Sequence, residues 1–325
     1  MKKIFIFSIL FCSVILLMTC LNDLFAAEDY PTKPVNLVVP WAPGGHTDTD
    51  ARIWASYAEK ILGEPIVIVN KPGSAGVLGT SFAAKAKPDG YTLLQATPGT
   101  NVIAEQIQKV DYNLESFVEI ARFTASSAGL LVNSESPWKT LDDFIKDAKG
   151  NPGNMTTSGM GASSYTTLAT KNWEKQAGIK LKHVHFQGGA PALMSLLGKH
   201  VDIHFNYPQV FISHVKGGKL RLLVVAAPFQ EFPNIPTFKQ LGYKGNFLGW
   251  SALMAPKGTP NYIIKKLSDI TEKQIMKDEN FLNAVKKTGA APFFMGPMEL
   301  KQFVREEYDN FRKLIAEEGL TVKEK

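Results

Sequence analysis

A short glycine-containing segment separates two patterns that each predict regular structure. The stretch "VVPWAPGGHTDTDAR" (38–52) ends an apolar, β-branched run and leads into apolar residues at helical spacing. Gly44 and Gly45 allow positive φ and let a ligand approach the backbone closely. The helix that follows presents unpaired N–H groups and a positive dipole end, which together attract anions. The segment therefore predicts an anion site built from backbone amides. A simple turn with Asp48 as helix N-cap is the structural alternative, and the two are compatible.

Three further loops repeat this strand–glycine–helix arrangement, at 72–79, 158–164 and 187–192. None of them predicts a dinucleotide site. The first lacks the G-x-G-x-x-G spacing. "SGMGASS" (158–164) reads G-x-G-x-x-S, but no acidic residue follows at the expected distance after a second strand. We expect these four loops, which come from two parts of one chain, to face each other across a cleft. Trp41, Tyr165 and Tyr207 lie in or beside these loops, and each is either a ligand contact or structural.

Catalytic sites have weaker support. The histidines at 183 and 185, and those at 200 and 204, have no nearby cysteine or carboxylate cluster, which argues against a metal site. Ser158, Ser163 and Ser164 have no sequence-evident base, and no G-x-S-x-G elbow is present. A secreted α/β hydrolase using His46 and Asp48 stays as an alternative to a binding protein. We expect no enzyme activity, no metal and no cofactor.

The first 27 residues have the composition of a secretory signal. Two lysines precede an apolar run from Ile4 to Leu21, and small residues follow at Ala26 and Ala27. We expect cleavage near Ala27 and export of the protein. A lipid anchor on Cys20 and an uncleaved membrane helix are the alternatives. Both cysteines, Cys12 and Cys20, lie in this segment, so we expect neither disulfide nor thiol chemistry in the rest of the chain.

The charge pattern narrows the class of partner. The formal net charge is +6, and the lysines and arginines are scattered, with no basic stripe interleaved with aromatic residues. This pattern argues against nucleic-acid binding. A mild positive field does draw small anions towards the protein. We expect a monomer that binds a small molecule.

Strand and helix signals alternate along most of the chain, which predicts an α/β fold with parallel-rich sheets flanked by helices. Strands are predicted at 35–39, 65–69 and 92–97, and two helical stretches around 260–288 and 297–317 close the chain. No linker marks a boundary, but 117–133 and 246–256 are extended enough to cross between two domains. We predict one domain from 28–128 and 245–325, a second from 129–244, and a ligand cleft between them.

Four motifs together resemble a known family. They are "PWAPGGHTDTDAR", "NKPGSAGVLGTSFAAKAKPDGYTLL", "VHFQGGAPALMSLLGKHVDIHF" and "LMAPKGTP". In order and spacing they resemble the solute-binding proteins of tripartite tricarboxylate transporters, the TctC-like or Bug family. The resemblance implies a periplasmic receptor with a two-domain, type II "Venus flytrap" fold. Such a receptor captures a small organic carboxylate and delivers it to a membrane permease of one large and one small subunit.

The resemblance also implies which residues bind the ligand, mainly through backbone amides of two opposed loops. The first loop carries Gly44, Gly45, His46, Thr47 and Asp48. The opposed loop carries Gly161, Ala162, Ser163, Ser164, Tyr165, Thr166 and Thr167. The other matching positions are Gly73, Ala75, Gly76, Thr97, Gly188, Gly189, Ala190 and, as an acidic position near the cleft, Asp202.

Two positions depart from the family pattern and bear on ligand identity. Thr166-Thr167 stands where Ser-His is frequent, and His46 stands where a small residue is common. An imidazolium at His46 in contact with the ligand predicts binding that weakens as pH rises through its titration. The sequence does not separate transport from a sensing role, in which the closed receptor contacts a membrane kinase.

Overall fold

The computed structural model describes residues 30–161, 164–229, 231–245, 248–317 and 319–320. The predicted secretory signal and both cysteines lie outside these residues. The strands are β1 (Val35–Val39), β2 (Ile66–Asn70), β3 (Thr92–Ala96), β4 (Phe117–Ser127), β5 (Gly129–Asn133), β6 (Thr156–Gly159), β7 (Lys182–His185), β8 (Ile203–Asn206), β9 (Leu220–Val225), β10 (Leu248–Pro256) and β11 (Ala291–Met295). The α-helices are α1 (His46–Leu62), α2 (Val77–Ala84), α3 (Ala104–Ile107), α4 (Leu141–Gly150), α5 (Tyr165–Ala177), α6 (Gly189–Leu197), α7 (Pro208–Lys216), α8 (Asn261–Lys273), α9 (Glu279–Lys287) and α10 (Pro297–Glu317).

The strands form two sheets. One has six strands in the order β11-β4-β10-β3-β1-β2, and the other has five in the order β7-β6-β8-β5-β9. Among the described residues, four strand pairs are parallel and five are antiparallel. The predicted α/β architecture is confirmed, with sheets that are mixed rather than parallel-rich. Each of these antiparallel pairs contains β4, β5 or β10, the strands beside the points where the chain passes between the sheets and returns.

The chain crosses from one sheet to the other at Ala128, between β4 and β5. The segment after β9 runs beside this crossing. The Ala226 amide donates to the Ala128 carbonyl at 2.8 Å, and the Ser127 hydroxyl bonds both the amide and the carbonyl of Ala227. The two segments are thus hydrogen-bonded side by side where the sheets meet. The domain boundaries at 128/129 and 244/245 stay predictions.

Helix α1 shows how the sequence pattern becomes packing. Ala51, Trp54, Ala55 and Ala58 recur at helical spacing, and all four are buried. The Trp54 indole N–H donates to Thr271 Oγ1 at 3.1 Å, which ties α1 to α8. This apolar face seats the helix on the sheet and so fixes where its N-terminus points.

Two parts of the fold differ from the sequence prediction. Helix α7 was not predicted, because its nine residues are too few to show a clear period. The predicted helical stretch around 260–288 divides into α8, a 3₁₀ turn and α9, because Asp278 caps a new helix by accepting the Asn280 and Phe281 amides. Within the described residues, no helix is both long enough and apolar enough to cross a membrane.

Candidate functional site

The loop between β1 and α1 ends at an uncapped helix N-terminus. Gly44 has a φ of +77°, in the left-handed region, and Gly45 is the N-cap residue but offers no side chain to the first helical amides. The N–H groups of the first turn have no partner within the helix. They and the helix dipole form a local positive potential that is suited to a carboxylate.

Asp48 is not the N-cap that the sequence suggested, because α1 begins at His46 and Asp48 is its third residue. Its Oδ2 accepts the Gly44 amide and Arg52 Nε, each at 2.9 Å, and its Oδ1 accepts Asn70 Nδ2 at 2.9 Å. Burial alone raises the pKa of this carboxyl, but the three hydrogen bonds and the charge of Arg52 bring it below its usual value. Asp48 is therefore an ionised support for the loop, and its oxygens are already used.

His46, the first residue of α1, is 6% exposed, and burial lowers its pKa to about 3. Its Nε2 lies 3.1 Å from Thr47 Oγ1, and its ring centroid lies 4.2 Å from that of Tyr207. The imidazole is neutral at physiological pH. The structure therefore does not support the imidazolium contact considered from the sequence.

The loop after β2 has an unusual backbone. Four consecutive residues, 73–76, have positive φ, and two of them, Ser74 and Ala75, are not glycine. Such conformations are costly for residues with a side chain and tend to occur at functional sites. A Cβ at Gly76 would lie 2.5 Å from Thr100 Cγ2 and 3.2 Å from Trp41 Cζ2, so only glycine fits there.

Trp41 places a polar group beside this loop. Its side chain is 5% exposed, and its indole N–H has no hydrogen-bond partner among the described residues. Because Cζ2 lies beside Gly76, the nitrogen-bearing edge of the ring is next to the 73–76 loop. An unpaired buried donor costs about 1–3 kcal/mol, and a ligand acceptor removes that cost.

Thr97 follows β3 at the same edge of the six-stranded sheet. Its Oγ1 lies 3.1 Å from Thr100 Oγ1, inside a π-helical turn at Gly99–Ile103. Single π turns are frequent at functional sites. The loops after β1, β2 and β3 thus lie at one edge, where the carboxyl ends of neighbouring parallel strands meet.

The five-stranded sheet presents opposing loops after β6 and β7. Gly161 has a φ of +105°, and a Cβ added there would lie 2.6 Å from Ala75 Cβ on the other side. The Ala42 amide reaches the Gln187 carbonyl at 3.4 Å, and a Cβ at Gly44 would lie 3.5 Å from Ala190 Cβ. The structure therefore brings the predicted loops together in pairs across a closed cleft.

The first turn of α5 forms the rest of the opposed loop. Ser164 is its N-cap and accepts the Thr167 amide at 3.2 Å, while its hydroxyl lies 3.3 Å from Thr166 Oγ1. Tyr165 is buried, with an edge-on contact to Phe311. The predicted ligand residues Ala162 and Ser163 lie outside the described residues.

A buried polar network supports the loop after β7, at 187–192. This network was not predicted from the sequence. His204 Nδ1 lies 2.9 Å from Ser158 Oγ and 3.1 Å from the Ser158 carbonyl, and its Nε2 lies 2.7 Å from Asn206 Nδ2. Asn206 also donates to the Gly189 carbonyl at 3.2 Å and accepts the Tyr207 amide at 2.8 Å. The only signal in the sequence is that residues 204 and 206 alternate on one strand and so share a face.

The pair of Ser158 and His204 is structural rather than nucleophilic. Ser158 Oγ donates to the Ala192 carbonyl at 3.1 Å, and His204 is fully buried, with its pKa lowered to about 4 by that burial. A buried serine whose hydroxyl proton is held in a hydrogen bond to a carbonyl, and not by a base, is a poor nucleophile. The network instead fixes Gly189 and Tyr207 at the edge of the cleft.

Asp202 is the predicted site residue that the structure places elsewhere. It directly precedes β8, and its Oδ2 accepts both the amide and the hydroxyl of Thr156, each at 2.7 Å. These residues lie at the amino ends of β8 and β6, opposite the end that carries Tyr207. Asp202 therefore pairs two strands and is not part of the cleft.

The other histidines form no metal site in the part of the chain that the structure describes. His183 Nε2 lies 2.6 Å from Glu174 Oε2, and His185 lies beside it. Among the described residues, no group of three or more His, Cys, Asp or Glu side chains is arranged to hold a metal ion.

Two helix-flanked sheets, joined by a crossing segment and closed on each other through glycine-rich loops, define a two-domain binding protein. The sequence model of a protein family, the tripartite tricarboxylate transporter family receptor (TctC), matches residues 51–320 of this chain. A UPF0065 protein from the gbd 5′ region of Cupriavidus necator is 32% identical over 303 residues, covering 90% of each chain. The chain therefore belongs to the tripartite tricarboxylate transporter receptor family, as the resemblance implied.

Solved structures agree with this assignment. The periplasmic binding protein BugD is 28% identical, has a TM-score of 0.85 and covers 90% of this chain and 99% of its own. MatC from Rhodopseudomonas palustris, solved with bound malate, is 28% identical, has a TM-score of 0.81 and covers 88% of this chain and 100% of its own. The two-domain periplasmic-binding-protein fold predicted from the sequence is confirmed.

Proposed function

We propose that this protein is an extracytoplasmic receptor that captures a small organic carboxylate between its two domains and passes it to a tripartite tricarboxylate transporter. The observation that carries the proposal is the uncapped N-terminus of α1, which faces the glycine loop after β7 across the cleft. The malate complex of MatC, a family neighbour, adds support for a carboxylate. The protein itself is a carrier without catalytic chemistry. In this proposal residues 1–27 direct export to the periplasm.

The amides near Gly45, His46 and Thr47 clamp one ligand carboxylate from the six-stranded side. The first turn of α5, from Ser164 to Thr166, closes on it from the other side. Each hydrogen bond from an amide to a carboxylate adds about 1.5–3 kcal/mol. No lysine or arginine is needed, and the charge of Arg52 is already paired with Asp48.

The experiment is a binding screen with a variant that fills the clamp. Native mass spectrometry of the mature protein identifies any co-purifying acid, and thermal shifts with malate, succinate, citrate and amino acids test the class. Gly45→Val should abolish the thermal shift, because its side chain occupies the space in front of the helix amides. A Cβ at Gly45 comes no closer than 3.5 Å to its neighbours, so the variant should fold.

Gly150→Val is the matched control, because a Cβ at that glycine meets nothing within 4 Å. It should leave the thermal shift intact. Normal carboxylate binding by Gly45→Val would refute the clamp, and a wild-type protein that binds only neutral solutes would refute the carboxylate assignment. Uptake of the identified acid in cells with and without the permease separates delivery to a transporter from a sensing role.

A further inference from the structure

A partly buried hydrogen bond joins the two sides of the cleft. Gln209 Nε2 donates to Asp50 Oδ1 at 3.1 Å. Asp50 lies on α1, one turn after His46, and is 1% exposed. Gln209 lies in the first turn of α7, two residues after Tyr207. Helix α7 follows β8 of the five-stranded sheet, whereas α1 follows β1 of the six-stranded sheet. The bond therefore spans the two domains.

Two neighbouring hydrogen bonds support this contact. Thr124 on β4 donates its hydroxyl to Asp50 Oδ2 at 2.8 Å, which holds the carboxylate from its own side. Gln209 Nε2 also donates to Ser126 Oγ at 2.6 Å, near the point where the chain crosses between the sheets. Thr124 thus holds the carboxylate from its own domain, and Gln209 holds it from across the cleft.

The N-cap residue of α7, Tyr207, also reaches the ligand loop. The Tyr207 ring lies on His46, and on its other side it packs so closely on Gly249 of β10 that a Cβ there would overlap the ring. The start of α7 therefore contacts α1 at two points, through its N-cap residue Tyr207 on His46 and through Gln209 on Asp50. A rotation that opens the cleft separates both.

We propose that the Asp50–Gln209 hydrogen bond is a latch that holds the closed cleft, with Gln209 as a positioning residue for the loop at the start of α1. In the open form, water takes the place of Gln209 as the partner of Asp50. The latch therefore stabilises the closed form by the net free energy of one hydrogen bond to a buried carboxylate. That value corresponds to about a tenfold change in the ratio of closed to open protein. The effect on ligand affinity rests on the proposed function, whereas the effect on closure does not.

The test measures the distance between the domains directly. Both cysteines lie within the first 27 residues, so the mature protein gives a clean background for a pair of engineered cysteines. Leu78 on α2 and Met194 on α6 are 60% and 61% exposed and lie in different domains. Spin labels at these positions report the closed and open populations by pulsed electron resonance, first in the ligand-free protein and then with saturating malate or another acid from the screen.

Gln209→Ala should lower the ratio of closed to open protein about tenfold in at least one of these two conditions. Thr124→Val is the matched control: it removes a hydrogen bond that Asp50 makes within its own domain but breaks nothing across the cleft, so it should leave the populations unchanged. Asp50→Ala combined with Gln209→Ala should open the cleft no more than Gln209→Ala alone, because Gln209→Ala already removes the bond to Asp50 together with the bond to Ser126.

Identical distance distributions for wild-type protein and Gln209→Ala in both conditions would overturn the latch. So would additive effects of the two alanine changes, or a wild-type protein that never populates the closed distance. A failure of the proposed function gives a different result: no carboxylate shifts the melting temperature of the wild-type protein. The distances measured in the ligand-free protein still test the latch in that case. Ligand kinetics add a further check, because a latch slows dissociation of the ligand.

Discussion

On the six-stranded side of the cleft, a charged group holds the ligand loop, whereas on the five-stranded side the loop is held by neutral groups alone. Asp48 gathers the Gly44 amide, Arg52 and Asn70 around one ionised carboxylate. Across the cleft, His204 and Asn206 fix Gly189 through neutral hydrogen bonds. Arg52 remains half-exposed, so water hydrates this charge, whereas the neutral network has no contact with solvent.

This difference in hydration determines how much stability each side loses when a side chain is substituted. Removing Arg52 should cost little, because its guanidinium is half-exposed and the buried Asp48 carboxylate keeps its bonds to Gly44 and Asn70. A dry network has no substitute, and each group left without a partner costs its full desolvation free energy. The five-stranded side should therefore be the more fragile of the two, although it carries no charge.

The largest expected effect is that of Asn206→Ala. The change leaves the Gly189 carbonyl, the Tyr207 amide and His204 Nε2 without their partner in a buried site. We expect the free energy of unfolding to fall by about 3 kcal/mol, measured by urea denaturation at pH 7. Asn151→Ala is the control, since Asp147 is the sole partner of that exposed side chain among the described residues. A loss below about 1 kcal/mol would show that water enters the network.

The second effect is a loss of stability in acid, shared by the two buried histidines. Burial lowers the pKa of His46 to about 3 and that of His204 to about 4, against about 6.5 in the unfolded chain. Between these values the unfolded chain binds protons that the folded protein does not, so stability falls as pH falls. Between pH 7 and pH 4.5, each histidine should lower the free energy of unfolding by about 2 kcal/mol.

Asp50 acts in the opposite direction, because burial raises its pKa to about 6. The folded protein holds this proton between about pH 4 and 6, so the contribution of Asp50 falls as pH rises through that range. Urea denaturation at pH 7.0, 5.5 and 4.5 should show a net decline in acid, which His204→Gln and His46→Asn each reduce. If both variants decline as steeply as wild-type protein, the histidines are not the cause.

The fold followed from patterns within single segments, whereas parts of the site depended on contacts between them. Glycines between a strand and a helix were enough to predict the loop at Gly44 and its partner loops. The strand at 35–39 and the helix at 297–317 were also predicted with the observed bounds. Such features arise from residues close in sequence, so one segment contains all the information.

The wrong site interpretations have one physical origin. The role of Asp48 is set by Asn70 on the next strand, and that of Asp202 by Thr156, 46 residues away. The sequence also could not tell at which end of β8 an acidic residue lies relative to the cleft. The bond between Gln209 and Asp50 joins residues 159 positions apart, and it becomes visible only when both domains are placed.

The smallest effect concerns the indole N–H of Trp41, on the six-stranded side of the cleft, which has no partner among the described residues. If the ligand supplies its acceptor, Trp41→Phe keeps the ring but removes one hydrogen bond from the complex. We expect malate to bind about fivefold more weakly, a change of about 1 kcal/mol. We expect 3-hydroxybutyrate, which has a methyl group in place of one malate carboxylate, to be unaffected. Isothermal titration of both acids measures this ratio.

Trp250→Phe is the matched control for this prediction. The Trp250 indole N–H is also buried without a partner in the described part of the chain, but its ring packs edge-on against Phe303 instead of beside the ligand loops. Both variants remove an unsatisfied donor, so neither should destabilise the free protein by more than about 1 kcal/mol. Only Trp41→Phe should change the ratio between the two acids. An equal change in both variants would mean that the Trp41 N–H does not meet the ligand, and that the clamp at the start of α1 alone selects carboxylates.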